Sequence, residues 1–217
     1  MDFKNSAGLN FLFIMYKESV ILYSKKSRSG FILLFFAIIS VFLLSCDDPK
    51  KDSVQIKKYF DLKGFMESQI AELDQRKPVV DKTMKMGEEQ NSRSSNEINW
   101  KKELELFLQA DINKPAYIQS YAVSRPDSLT YEYVLKQGQD LPVRHLKIKL
   151  DKANGMPVRI EAQLKSENKL YESEKNIHLS CQINGESCKI LTYHISGFQK
   201  LATMEKKPFV IEAVIKQ

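Results

Sequence analysis

The chain has 217 residues, 43% of them hydrophobic and 28% charged, with a formal net charge of +6. That length supports one domain with a proper hydrophobic core. Basic and acidic residues are interspersed, as in Arg159-Ile160-Glu161, and no basic block carries interleaved aromatics, which excludes nucleic acid as the partner.

Lys25, Lys26 and Arg28 precede an apolar run from Phe31 to Leu44, which closes in Leu43-Leu44-Ser45-Cys46 and is followed by Asp47-Asp48. The order is that of an export signal: a positive n-region, an apolar h-region and a small residue at the cleavage point. With a Cys directly after that small residue, the segment resembles a bacterial (Gram-negative) lipoprotein signal peptide. The resemblance implies that the Cys46 thiol takes a diacylglyceryl thioether, that the Ser45–Cys46 bond is cut, and that the freed α-amine is acylated. The apolar run is short against the ~20 residues of a spanning helix. Buried acyl methylenes contribute about 0.8 kcal/mol each, so two or more chains hold a protein stably on a bilayer. Residues 1–45 are thus read as the signal. Met15 offers a second start, with Lys17 joining the n-region.

Asp47-Asp48 resembles, in some Gram-negative bacteria, an inner-membrane retention signal and, in others, a tag for surface export. Because the acidic residues form a pair, the outer membrane is the favoured address, facing periplasm or surface. Loss of residues 1–45 removes Lys4, Lys17, Lys25, Lys26 and Arg28 with Asp2 and Glu18, so the charge falls from +6 to +3. Residues 46–57 read as a short tether on the membrane, and 58–217 as a single domain.

Tyr59, Leu62, Phe65/Met66, Ile70 and Leu73 recur at helical spacing, with Asp61 as N-cap and Pro78 as terminator. Val79 to Met86 reads as extended and Gly87 to Ser95 as a polar loop. Trp100, Leu104, Phe107, Leu108 and Ile112 predict a second helix capped by Asn99 or Asn96. Beyond Pro115 the apolar period becomes two: Leu129/Tyr131/Tyr133/Leu135, Leu146/Ile148/Leu150, Val158/Ile160/Ala162/Leu164 and Phe209/Ile211/Ala213/Ile215. Short turns at Gln137-Gly138-Gln139-Asp140, Asn154-Gly155 and Asn184-Gly185 join antiparallel neighbours. The predicted class is α+β: two N-terminal helices packed on a mostly antiparallel meander of six to eight strands.

Asn184-Gly185 is the strongest short hairpin signal. As a two-residue loop it sets Ile183 against Glu186 and Cys181 directly across from Cys188, within reach of a disulfide. An exported protein meets an oxidising compartment, so a Cys181–Cys188 bridge is predicted. The same register points His178 and His194 to opposite faces, and His145, on a separate strand alternating against Leu146 and Ile148, should face solvent, so no metal site is predicted. Glu161 and Glu172 read as solvated strand residues. No G-x-S-x-G, H-E-x-x-H or glycine-rich phosphate loop occurs, and no catalytic residue or cofactor is assigned. Two readings remain: a non-catalytic envelope module that binds another envelope protein or a surface polymer, and a carrier of a lipophilic ligand. The carrier is similar in outline to the half-barrel proteins that escort lipoproteins across the periplasm. It would need a dry cavity, lined by residues such as Tyr131, Tyr133, Met84, Met86 and Phe107. Oligomeric state is not legible in the sequence.

Overall fold

The computed structural model describes residues 57–185 and 187–216. The signal, Ser45, Cys46, Met15 and the tether up to residue 56 lie outside the described residues.

Helix α1 spans Leu62–Arg76 and buries Leu62, Met66, Ile70 and Leu73. That spacing keeps one stripe on the core, and burial of each such side chain contributes about 1.5–3 kcal/mol. Asp61 caps its start, accepting the Gly64 N–H at 3.1 Å. It ends where Lys77 turns into the left-handed region (φ 49°) ahead of Pro78.

Nine strands follow in one antiparallel sheet: β1 Val80–Met86, β2 Glu89–Ser95, β3 Tyr121–Ser124, β4 Thr130–Leu135, β5 Val143–Leu150, β6 Pro157–Glu167, β7 Tyr171–Asn184, β8 Ser187–Leu201 and β9 Lys207–Ile215. The order across the sheet is β2-β1-β9-β8-β7-β6-β5-β4-β3. From β3 to β9 it is a pure meander, as short connections require. Strand β1 then pairs with β9, Val80 opposite Ile215.

One face carries the core. Tyr131, Ile148, Ile160, Leu179, Tyr193 and Ala213 form one continuous row across β4, β5, β6, β7, β8 and β9. Tyr133, Leu146, Ala162, Ile177, Ile195 and Ile211 form the next. Ile148, Ile160, Leu146, Ile177 and Leu179 are completely buried, by α1 and by the segment after β2. The other face is polar, the alternation expected of a sheet covered on one side.

The chain differs from the sequence expectation in three respects. Residues 80–95 form a β-hairpin where a strand and a loop were expected, so the strands among the described residues number nine and the helices do not all precede them. The second helix is two short segments, α2 Trp100–Glu103 and α3 Glu105–Gln109, broken at Leu104. Asn99 caps α2, accepting the Lys102 N–H at 3.0 Å. The Asn154-Gly155 connection is also longer than a tight turn, since Leu150 pairs with Pro157 and Asp151 organises the loop by accepting from Ala153 and Asn154.

The start of the domain is pinned to the far side of the sheet by aromatic contacts. Tyr59 meets the Tyr121 and Tyr133 rings edge-on at 5.9 and 5.4 Å, and the Phe60 N–H donates to the Tyr133 hydroxyl at 3.0 Å. Among the described residues no helix is long and apolar enough to cross a membrane.

Candidate functional site

The β7–β8 hairpin overturns two expectations. Asn184 pairs with Ser187, and Gly185 lies in the turn. Gly185 takes the first central position at φ +61°, a conformation glycine adopts at no steric cost. This moves the register by two residues, so Cys181 faces Ile190 and Cys188 faces Ile183. The cysteines are diagonal neighbours on the core face. They are free thiols approaching to 2.9 Å, against about 2.05 Å for a bonded pair, so the predicted disulfide is absent. Contact with Cys188, and then burial, pushes the Cys181 thiol far above its usual range, while the Cys188 sulfur donates to the Pro157 carbonyl at 3.2 Å.

A bulge supplies the second correction. Ser180 pairs with Thr192 but Cys181 pairs with Ile190, which leaves Leu191 as an extra residue. One extra residue reverses the facing of everything beyond it. His178 and His194 therefore do not point apart: they are directly paired on the polar face, ring centroids 6.0 Å apart. His178 Nδ1 lies 3.8 Å from Glu161 Oε1 and His194 Nδ1 lies 3.4 Å from Glu212 Oε1. The row Glu161, His178, His194, Glu212 thus crosses β6, β7, β8 and β9 in order. His145 shares that face but is half-buried, with Nε2 at 2.9 Å from Glu132 Oε1. That contact, ahead of other influences, lowers the Glu132 carboxyl below its ordinary range.

Glu161 and Glu172 are not a catalytic pair. Glu172 is opposite Glu167, six residues along β6 from Glu161, so they are ~20 Å apart, at least twice the separation of glycosidase carboxylates. The residues considered for a cavity disperse too: Tyr133 and Phe107 are core, Tyr131 lies under Arg125 at 4.3 Å, and Met84 and Met86 are exposed on β1.

Two polar assemblies on the helical side were not foreseen. The first joins Lys82 of β1, Glu103 of α2 and Tyr193 of β8. The Tyr193 hydroxyl and the Lys82 ammonium each donate to Glu103 Oε1 at 2.6 Å. Burial, followed by the neighbouring Glu103 carboxylate, drives the Tyr193 pKa far upward. The phenol's proton is committed to Glu103 in this arrangement. An open pocket of 300 Å³ lies beside it, lined by Val80, Met84, Arg93 and Ile98 among others.

The second is an open groove of 660 Å³ between the start of α1, the two short helices and residues 111–115. Its floor is fixed by Asn113, whose side chain accepts the Tyr59 N–H at 3.0 Å and donates to the Phe60 carbonyl at 2.8 Å. Beside it the buried Asp111 carboxyl is shifted upward by desolvation, against hydrogen bonds from Asn113 and the Lys63 backbone. Exposed Lys63, Lys101, Lys102 and Lys114 line the walls. Four flexible ammonium groups around fixed amide and carboxyl groups suit polar, anion-bearing surfaces of a partner. No local motif marks either assembly. Both depend on side chains brought together from distant segments, which no local pattern in the sequence reveals.

Fold and sites together define a helix-covered antiparallel sheet whose described pockets are open to solvent. Compared with known protein families, curated proteins and solved structures, the chain matches none.

Proposed function

We propose that this chain is a lipid-anchored, non-catalytic binding module of the Gram-negative cell envelope. Acyl chains on Cys46 hold it on the outer membrane, and the domain that follows engages an envelope protein or a surface polymer. The observation that carries this reading is the ordered run of Lys25, Lys26 and Arg28, the apolar segment Phe31 to Leu44, Ser45 and Cys46. The domain's interior supports a binding module over a lipid carrier. Its apolar sheet face is packed into the core, and the groove beside Asn113 is open to solvent and rimmed by lysines, whereas a carrier needs a dry apolar cavity.

The test is to express the full chain and its Cys46→Ala form in a Gram-negative host with a radioactive fatty acid, then treat intact cells with protease. Label on the wild type alone supports the anchor. Cleavage in intact cells then assigns the domain to the surface, and protection to the periplasm. Equal labelling of both forms, or none on either, overturns the proposal.

A further inference from the structure

We propose that His178 and His194 form a binding site for a borderline divalent transition-metal ion such as Zn²⁺ on the polar face of the sheet. The site does not depend on the lipid anchor. Imidazole nitrogen suits such ions. The two rings come from directly paired residues of β7 and β8, the longest strands, at the middle of the sheet. Their backbones are therefore held in place without the ion.

The spacing fits. Two imidazoles on one tetrahedral ion, with Zn–N of about 2.05 Å, place their ring centroids about 5.2 Å apart. The observed 6.0 Å is within a small side-chain rotation of that value, and both rings are partly exposed and free to make it. Orientation fits as well. Each Nδ1 faces its own outboard carboxylate, Glu161 or Glu212, leaving Nε2 of each ring for the ion. A carboxylate behind the non-ligating nitrogen is the usual support of a metal-bound histidine, where it fixes the tautomer and raises ligand basicity. Here a carboxylate stands on each side, at 3.8 Å for His178 and 3.4 Å for His194, longer than a formed hydrogen bond and within a small side-chain rotation of one. The neighbouring cross-strand pairs on this face are Asn176 with Ser196 and Ser180 with Thr192, small and uncharged, so no ammonium group stands directly beside the rings along β7 and β8. Among the described residues no cluster of three or more metal-ligating side chains exists. The ion would keep its other positions for water or for a donor from a partner.

The test uses the full chain in detergent, titrated with Zn²⁺ by calorimetry while the histidine ring resonances are followed by NMR. One ion per chain is expected, shifting the His178 and His194 resonances and sparing His145. His178→Ala and His194→Ala should each lower affinity at least tenfold, with unchanged circular dichroism. Glu161→Gln and Glu212→Gln should weaken it by about tenfold, and His145→Ala should have no effect. Wild-type Zn²⁺ affinity in both histidine variants overturns the proposal, because the ion is then held elsewhere, at the thiols for example. Absence of binding below millimolar Zn²⁺ also overturns it.

Discussion

The Tyr193 hydroxyl donates to Glu103 at 2.6 Å, tying the middle of the sheet to the last residue of a four-residue helix. Lys82 reaches the same oxygen from β1, so one carboxylate joins three elements remote in sequence. The break at Leu104 follows immediately.

Removing that carboxylate should be costly because it leaves a buried phenol without an acceptor. Glu103→Ala is expected to destabilise by about 1–3 kcal/mol and Tyr193→Phe by about 1 kcal/mol. Urea melts of both variants and of the double variant should give a coupling energy on the order of 1 kcal/mol. Strict additivity would show that the contact contributes nothing specific.

The Asp61 cap should confer pH dependence. Burial raises its pKa, but hydrogen bonds from Lys57 and the Gly64 N–H outweigh that and hold it below the usual 3.8. A depressed folded pKa means that the folded state favours the charged form. The contribution is complete above 3.8 and lost as pH falls through the lower folded value. Asp61→Ala should therefore cost about 1 kcal/mol at neutral pH, and the difference from wild type should shrink as the pH falls below 3.8 through the lowered folded value. A deficit independent of pH would remove the carboxylate from the explanation.

Thiol accessibility checks the register of the β7–β8 hairpin. In the Cys46→Ala chain, unfolded without reductant, two thiols should titrate. In the native protein both should alkylate more slowly at pH 8, on the order of tenfold or more, because Cys188 is buried and the Cys181 thiolate is disfavoured. Zero thiols after unfolding would mean that the cysteines are bonded.

Gly197 is set by close approach. A Cβ there would stand 2.0 Å from the Glu174 carbonyl oxygen and 3.0 Å from the Lys175 Cα, and backbone in a paired strand cannot withdraw as a side chain can. Gly197→Ala should destabilise by about 1–3 kcal/mol or more. Ser196→Ala, one residue away on the polar face, should stay within about 0.5 kcal/mol of wild type in the same melts.

What could be read in the sequence was what local chemistry decides. Asp61, the Leu62/Met66/Ile70/Leu73 stripe and Pro78 marked α1 because cap, stripe and stop lie within one segment. The alternation in β4, β5, β6 and β9 was legible because one face of each is buried. Strand β2 escaped notice because it lies at the edge with almost every residue exposed, so burial imposes no period on it. The bulge at Leu191 was invisible, since an extra residue in one strand is registered only against its partner, and the parity of His194 was inverted with it. The candidate sites were hidden for a related reason: Lys82, Glu103 and Tyr193 meet only after three separate segments have packed.

The pairing of β1 with β9 bears on the timing of folding. Each hairpin from β3 to β9 can close from neighbouring segments as the chain emerges, with little loop entropy to overcome. Strand β1 has such a neighbour only in the edge strand β2. Its other partner, β9, is the last of the described strands, so the β1–β2 hairpin must wait with one edge open until β9 is made. Completion of the sheet is then a single late, long-range event, and a chain truncated before Phe209 would lose the docking edge of its first strand along with its last.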